Sequence, residues 1–154
     1  MKPPPTEVLA FLARMMPDYA REAGSPYLKK QLSTATGLLS MMAQDLDRLV
    51  PRLLEEAAAI RSLFASSIDM VADRVLAGEL RTEADLTSSD FHLSALFADN
   101  DRLRELLVRL HAHVETLAGD GPREIDNAIW RELAQQGERR RTTYLKTGTQ
   151  GFSA

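Results

Sequence analysis

The sequence predicts an all-α protein, a four- to five-helix bundle with two long helices and shorter ones flanking them. Three observations carry this. Aromatic residues make up only 6% of the chain, and strand-favouring runs of Val, Ile, Thr and Tyr are scarce beside Ala, Leu, Arg and Glu. Apolar residues also recur at alternating steps of three and four along two long stretches.

Thr6 is placed to cap a first helix, with Glu7 in its first turn and Val8, Leu12, Met15 and Tyr19 as its stripe. Pro17 should kink or restart that helix before it ends near Gly24. Ser25 and Pro26 then read as the cap and first residue of the next helix. Its seam is Leu28, Leu32, Ala35, Leu39, Met42, Leu46, Leu49, Leu53, Ile60 and Leu63. Pro51 falls inside the seam, but the phase continues from Leu49 to Leu53 with no residues left over for a reversing loop. The expectation is therefore one long helix over about 26–65, kinked at Pro51 and roughly 60 Å along its path.

Ser66-Ser67-Ile68-Asp69 has the spacing of a capping box and should open a shorter helix through Val71, Val75 and Leu76, stopped by Gly78. Residues 78–88 read as a turn-rich corner, with Thr82–Asp85 and Thr87–Asp90 repeating the cap spacing. The second long helix, about 89–118, carries Leu93, Leu96, Asn100, Leu103, Leu107, Leu110, Val114 and Leu117. Gly119-Asp120-Gly121-Pro122 breaks the chain, and Pro122 should be the first residue of a last helix through Ile125, Ile129, Trp130 and Leu133. Its later half, from Gly137 through the arginines, is too polar to need a core. A single bundle domain over 1–146 with a loose tail at 147–154 is expected. Neither an internal repeat nor a low-complexity block is present.

Composition excludes several chemistries. Zero cysteines remove disulfides, thiolate nucleophiles and thiolate-bound metals, and suit a reducing compartment, so the expected location is the cytoplasm. Before Val8 stand only Met1, Lys2, three prolines, Thr6 and Glu7, with no secretory apolar run following. Charged residues recur too often for a membrane-spanning helix. A net charge of -3, from 22 acidic and 19 basic residues, gives no broad basic field for nucleic acid. Phosphate-loop and nucleophile-elbow patterns are absent.

Asn100 lies within the apolar seam of its helix, where its amide must find partners. It can be a structural polar contact that fixes register, or it can line a pocket with Asp99 or Asp101 at its edge. Ser33, Gly37 and Ser40 form a small-residue stripe that admits either a closely packed helix or a ligand tail. His111 and His113 stand about 200° apart on a helix and cannot share one ion. His111 and Glu115 could, but the chain has three histidines and lacks the Glu-x-x-His repeats of di-iron bundles, so no metal and no cofactor is expected. His92 should interact with Asp90 in its own turn. Trp130, on the shoulder of the Ile129–Leu133 stripe, can close the core or anchor a partner. Arg139, Arg140 and Arg141, followed by Tyr144 and Lys146, form the one local basic cluster, solvated or in contact with an anion. Glu55 and Glu56 read as a solvated face.

The wording of residues 93–115, LSALFADNDRLRELLVRLHAHVE, and of 27–46, YLKKQLSTATGLLSMMAQDL, resembles a family of uncharacterised bacterial helical proteins encoded beside acyl-CoA dehydrogenases and aminoglycoside-phosphotransferase-like proteins. That resemblance implies an accessory or binding role near acyl-CoA metabolism and carries no catalytic motif. The expected function is a non-catalytic interaction module, homo-oligomeric or serving a protein partner. The alternative is a protein that binds, or an enzyme that acts on, an acyl or other apolar small molecule inside the bundle.

Overall fold

The computed structural model describes residues 2–141. The chain is all-α, with five α-helices among those residues: α1 (Pro5–Glu22), α2 (Pro26–Ser67), α3 (Arg74–Asp85), α4 (Leu93–Glu115) and α5 (Asp120–Arg139). A 3₁₀ turn, Ile68–Met70, lies between α2 and α3. Tyr144, Lys146 and the expected tail at 147–154 fall outside the described residues.

The two long helices form where the seams predict them. Pro26 opens α2, with Lys29 N–H bonded to Ser25 O at 3.0 Å, because proline suits a first turn whose N–H groups have no intrahelical acceptor. The helix continues through Pro51 to Ser67. Likewise α1 runs through Pro17, but it starts at Pro5 after Pro4, so Thr6 is inside the first turn and caps nothing. Three consecutive prolines with preset φ favour that earlier start.

Between the long helices the structure corrects the sequence reading. Ser66 and Ser67 close α2 instead of opening a helix: their hydroxyls both donate to Leu63 O, at 2.9 and 2.7 Å. The cap of α3 is Asp73, whose carboxylate accepts from Val75 N–H and Leu76 N–H at 2.8 and 3.2 Å. Gly78 lies inside α3. The expected corner at 78–88 is therefore mostly helix, and only residues 86–92 remain irregular. Asp90 accepts from His92 N–H at 2.9 Å, and its carboxylate meets His92 Nδ1 at 2.6 Å, as the spacing predicts. The last break falls at Gly119, whose φ of 124° is open to glycine at little cost. Consequently α5 begins at Asp120, and Pro122 is its third residue rather than its first.

The chain divides into two compact units. The first contains the described residues through Leu49 together with Arg141, and the second is Val50–Arg140. The second unit holds the core: Ile60 and Phe64 of α2, Leu80 of α3, Leu103 and Leu110 of α4 and Ile129 of α5 pack in one cluster. Helices α3 and α5 both pack on α4. Helix α5 also contributes two buried polar groups, Glu132 and Gln136.

The first unit is of another kind. Among its described residues only Ala13 and Gly37 are buried. Val8, Phe11, Leu12 and Tyr19 of α1, and Tyr27, Leu28, Leu38 and Met42 of α2, are exposed. No helix among the described residues is long and apolar enough to cross a membrane.

Candidate interaction surface

In the second unit the polar side chains that sequence reading picked out are used by the fold. Asn100 is fully buried, and its Nδ2 donates to Leu96 O one turn back and to Leu53 O on α2, both at 3.0 Å. Its Oδ1 has no partner among the protein atoms. Asp99 accepts from Arg61 at 2.8 and 3.0 Å, from Ser88 Oγ at 2.8 Å and from Arg102 at 2.7 Å. Arg102 also donates to Glu83 at 2.7 and 3.1 Å, and Arg61 Nε to Glu83 O at 3.1 Å. One network thus fastens α2, the end of α3, the irregular segment 86–92 and α4. Burial pushes the Asp99 carboxyl up, but the Ser88 hydroxyl, Arg61 and Arg102 together hold it below its ordinary value.

The sequence reading missed Glu56. It is wholly buried, not solvated, and it accepts from Arg104 of α4 and from Arg140 at the end of α5, the latter at 2.9 and 3.2 Å. Burial raises its carboxyl, and the hydrogen bonds and charge of Arg140 and Arg104 outweigh that effect. The signal was available: Glu56 sits between Leu53, Ala57 and Ile60 on the core face, where a charge needs a counter-ion. Arg139 pairs with buried Glu132, and Arg141 also has an interaction within the chain. None of the three arginines is therefore a free anion-binding group.

The Ile129–Trp130–Leu133 stripe divides between core and surface. Ile129 is buried in the core, whereas Trp130 and Leu133 are exposed. Trp130 meets His111 edge-on at 5.5 Å between ring centroids, and His111 Nε2 lies 2.8 Å from Asp126. Glu115 is 3.7 Å from the same nitrogen. Among the described residues, no three His, Asp or Glu side chains are grouped to hold a metal ion. A cleft of about 710 Å³ between α3 and α4 is lined by Arg74, Arg102, Arg109, Glu79, Glu83 and Glu105 among others. Arg102 pairs with Glu83 and Arg109 with Glu79 across it, so its charges are largely answered in place.

Ser33, Gly37 and Ser40 lie in the first unit and Asn100 in the second. Gly37 is buried, Ser40 half-buried and Ser33 exposed. On the neighbouring face of α2 is an open, mainly apolar groove of about 480 Å³ lined by Tyr27, Lys30, Gln31, Thr34, Ala35 and Leu38. Gln31 Nε2 donates to Tyr27 Oη at 2.6 Å there. No family model, curated protein or solved structure matches the chain.

Proposed function

We propose that this chain is a non-catalytic helical interaction module that self-associates through the exposed apolar face of its first unit. The observation that carries this reading is the contrast between the two units. The second buries Phe64, Ile60, Leu80 and Leu110, while the first, among its described residues, buries only Ala13 and Gly37 and leaves four tyrosine, phenylalanine and leucine side chains about half exposed or more at Phe11, Tyr19, Tyr27 and Leu38. Helices in water are held mainly by tertiary packing of an apolar face. Covering one such side chain contributes about 1.5–3 kcal/mol. A partner that closes this face supplies what the unit lacks.

The buried charges support the non-catalytic part of the reading. Glu56, Asp99 and Glu132 are each neutralised by arginine, which suits fastening helices together. The resemblance of residues 27–46 and 93–115 to a family encoded near acyl-CoA dehydrogenases supports an accessory role beside such an enzyme. The absence of cysteine supports a cytoplasmic setting.

Size-exclusion chromatography with light scattering tests the proposal. The expected result is a particle of two chains or more. A strict monomer that also retrieves no protein from host lysate overturns it.

A further inference from the structure

We infer that Met70 is an oxidation-sensitive latch on the start of α5: its thioether, seated on Gly121, is released when a peroxide converts it to the sulfoxide. Both residues belong to the second unit, so the latch does not depend on self-association. Gly119 and Gly121 stand close together in the chain, but for different reasons. Gly119 has a φ of 124°, whereas Gly121 has no positive φ and needs no glycine for its backbone. What a side chain at Gly121 would meet is Met70: an added Cβ would lie 2.8 Å from Met70 Sδ and 3.2 Å from its Cε. Both separations are closer than the about 3.5–4.0 Å of ordinary contact. The bare backbone of Gly121 is the seat of the methionine.

Met70 ends the 3₁₀ turn that follows α2, and Gly121 is in the first turn of α5. Their contact therefore ties together two elements far apart in sequence. The core begins beside it: Val71, next to Met70 in the chain, and Ile125, one turn on from Gly121, are both buried in the common cluster. Met70 itself is 40% exposed, which puts the latch within reach of a small oxidant. It is also the one methionine of the second unit, since Met15, Met16, Met41 and Met42 all precede Val50.

The chemistry is a two-electron oxygen transfer from a peroxide. A lone pair on Sδ attacks one oxygen of hydrogen peroxide, and the S–O bond forms as the O–O bond breaks. The departing hydroxide takes the proton left on the transferred oxygen and becomes water. Sulfur is oxidised to the sulfoxide and the peroxide is reduced. An apolar, flexible side-chain end thereby becomes polar. Holding it on the seat would keep a polar group from water without a hydrogen-bond partner, which costs free energy. The sulfoxide therefore turns outward and uncovers the first turn of α5. Local opening follows the loss of such contacts, and reduction of the sulfoxide restores the thioether.

Hydrogen–deuterium exchange of the full chain before and after dilute hydrogen peroxide tests this. A gain of one oxygen in mass on the peptide containing Met70 establishes the modification. Exchange should then quicken at residues 124–127, whose N–H groups bond to the carbonyls of the first turn of α5. The expected change is about fivefold, the factor that the loss of one modest contact carries. Two variants isolate the cause. Met70→Leu is close in size and has no sulfur, so peroxide should leave its exchange at 124–127 unchanged. In Gly121→Ala the seat is filled and Met70 is already displaced, so oxidation should add nothing. Oxidised Met70 with unchanged exchange at 124–127 overturns the inference. A full peroxide effect in either variant also overturns it, since the thioether on its glycine seat would then not be the lever. So does a Met70 peptide that keeps its mass while the Met42 peptide gains oxygen, because the latch would then be closed to the oxidant.

Discussion

Arg140, the residue that caps the C-terminal end of α5, donates to Glu56 on α2 at 2.9 Å, and Glu56 is wholly buried. This pair fastens two elements 84 residues apart in sequence. Arg104 approaches the same carboxylate from α4, so three helices meet on one acid.

Removing that acid strands two guanidinium groups. Glu56→Ala should destabilise the chain by about 3–5 kcal/mol, the range for breaking a buried ion pair from one side. Arg140→Ala should cost less, about 1 kcal/mol, because Arg104 still answers the carboxylate and Arg140 is half exposed. Urea unfolding of both variants gives the comparison. Equal losses would show that the two arginines do not share Glu56.

Acid should loosen the second unit. Glu56 and Asp99 both lie below their ordinary pKa values in the folded chain, so the unfolded chain takes up protons first as the pH drops. Their stabilising contribution is complete above the ordinary carboxylate range, about pH 4, and disappears as the pH falls through the lower folded values. Urea midpoints measured from neutral pH downward should fall over that window. Glu56→Gln should flatten the dependence, and an unchanged slope in that variant would remove Glu56 from the account.

Asn100 gives a sharper contrast. Leu53 O and Leu96 O are helix carbonyls, and Oδ1 of Asn100 has no protein partner. Asn100→Leu should therefore change stability by less than about 1.5 kcal/mol in either direction, since replacing an incompletely satisfied amide by an apolar group of similar size is close to neutral. Asn100→Asp should be far more damaging, because it directs a buried carboxylate at two carbonyl oxygens. Thermal melts of the two variants that coincide would contradict this.

Two glycines should respond oppositely to alanine. A Cβ at Gly78 meets nothing within 4 Å, and the residue is inside α3, so Gly78→Ala should stabilise by about 0.5–1 kcal/mol. Gly119 has a φ of 124°, where an alanine is strained, and Gly119→Ala should destabilise by about 1–2 kcal/mol. Denaturant midpoints check both signs.

The helices that sequence reading placed well are those whose apolar phase runs for many turns. Seams from Leu28 to Leu63 and from Leu93 to Val114 fixed α2 and α4, including continuation through Pro51. Short elements were harder to place because one local signal serves opposite ends. Ser66 has cap spacing to Asp69, but a serine hydroxyl can equally donate to a carbonyl one turn back, and here Ser66 and Ser67 both bond Leu63 O. Periodicity marked Ile129 and Asn100 as core-facing, and both are buried. It could not reveal that Glu56 and Arg140 meet, because local spacing holds no information about contacts between distant elements. The exposed apolar side chains of α2 were hidden for a different reason. Met42 belongs to the leucine seam, Tyr27 and Leu38 stand beside it, and spacing alone does not reveal that all three are exposed.

Sedimentation equilibrium of the wild-type chain beside Leu38→Glu tests the central claim most directly. The account predicts a wild-type mass of two chains that reverts toward one on dilution, and a Leu38→Glu variant with the mass of one chain and unchanged helix content, since Leu38 is exposed within its own chain. Equal masses for the two proteins at every concentration would contradict it.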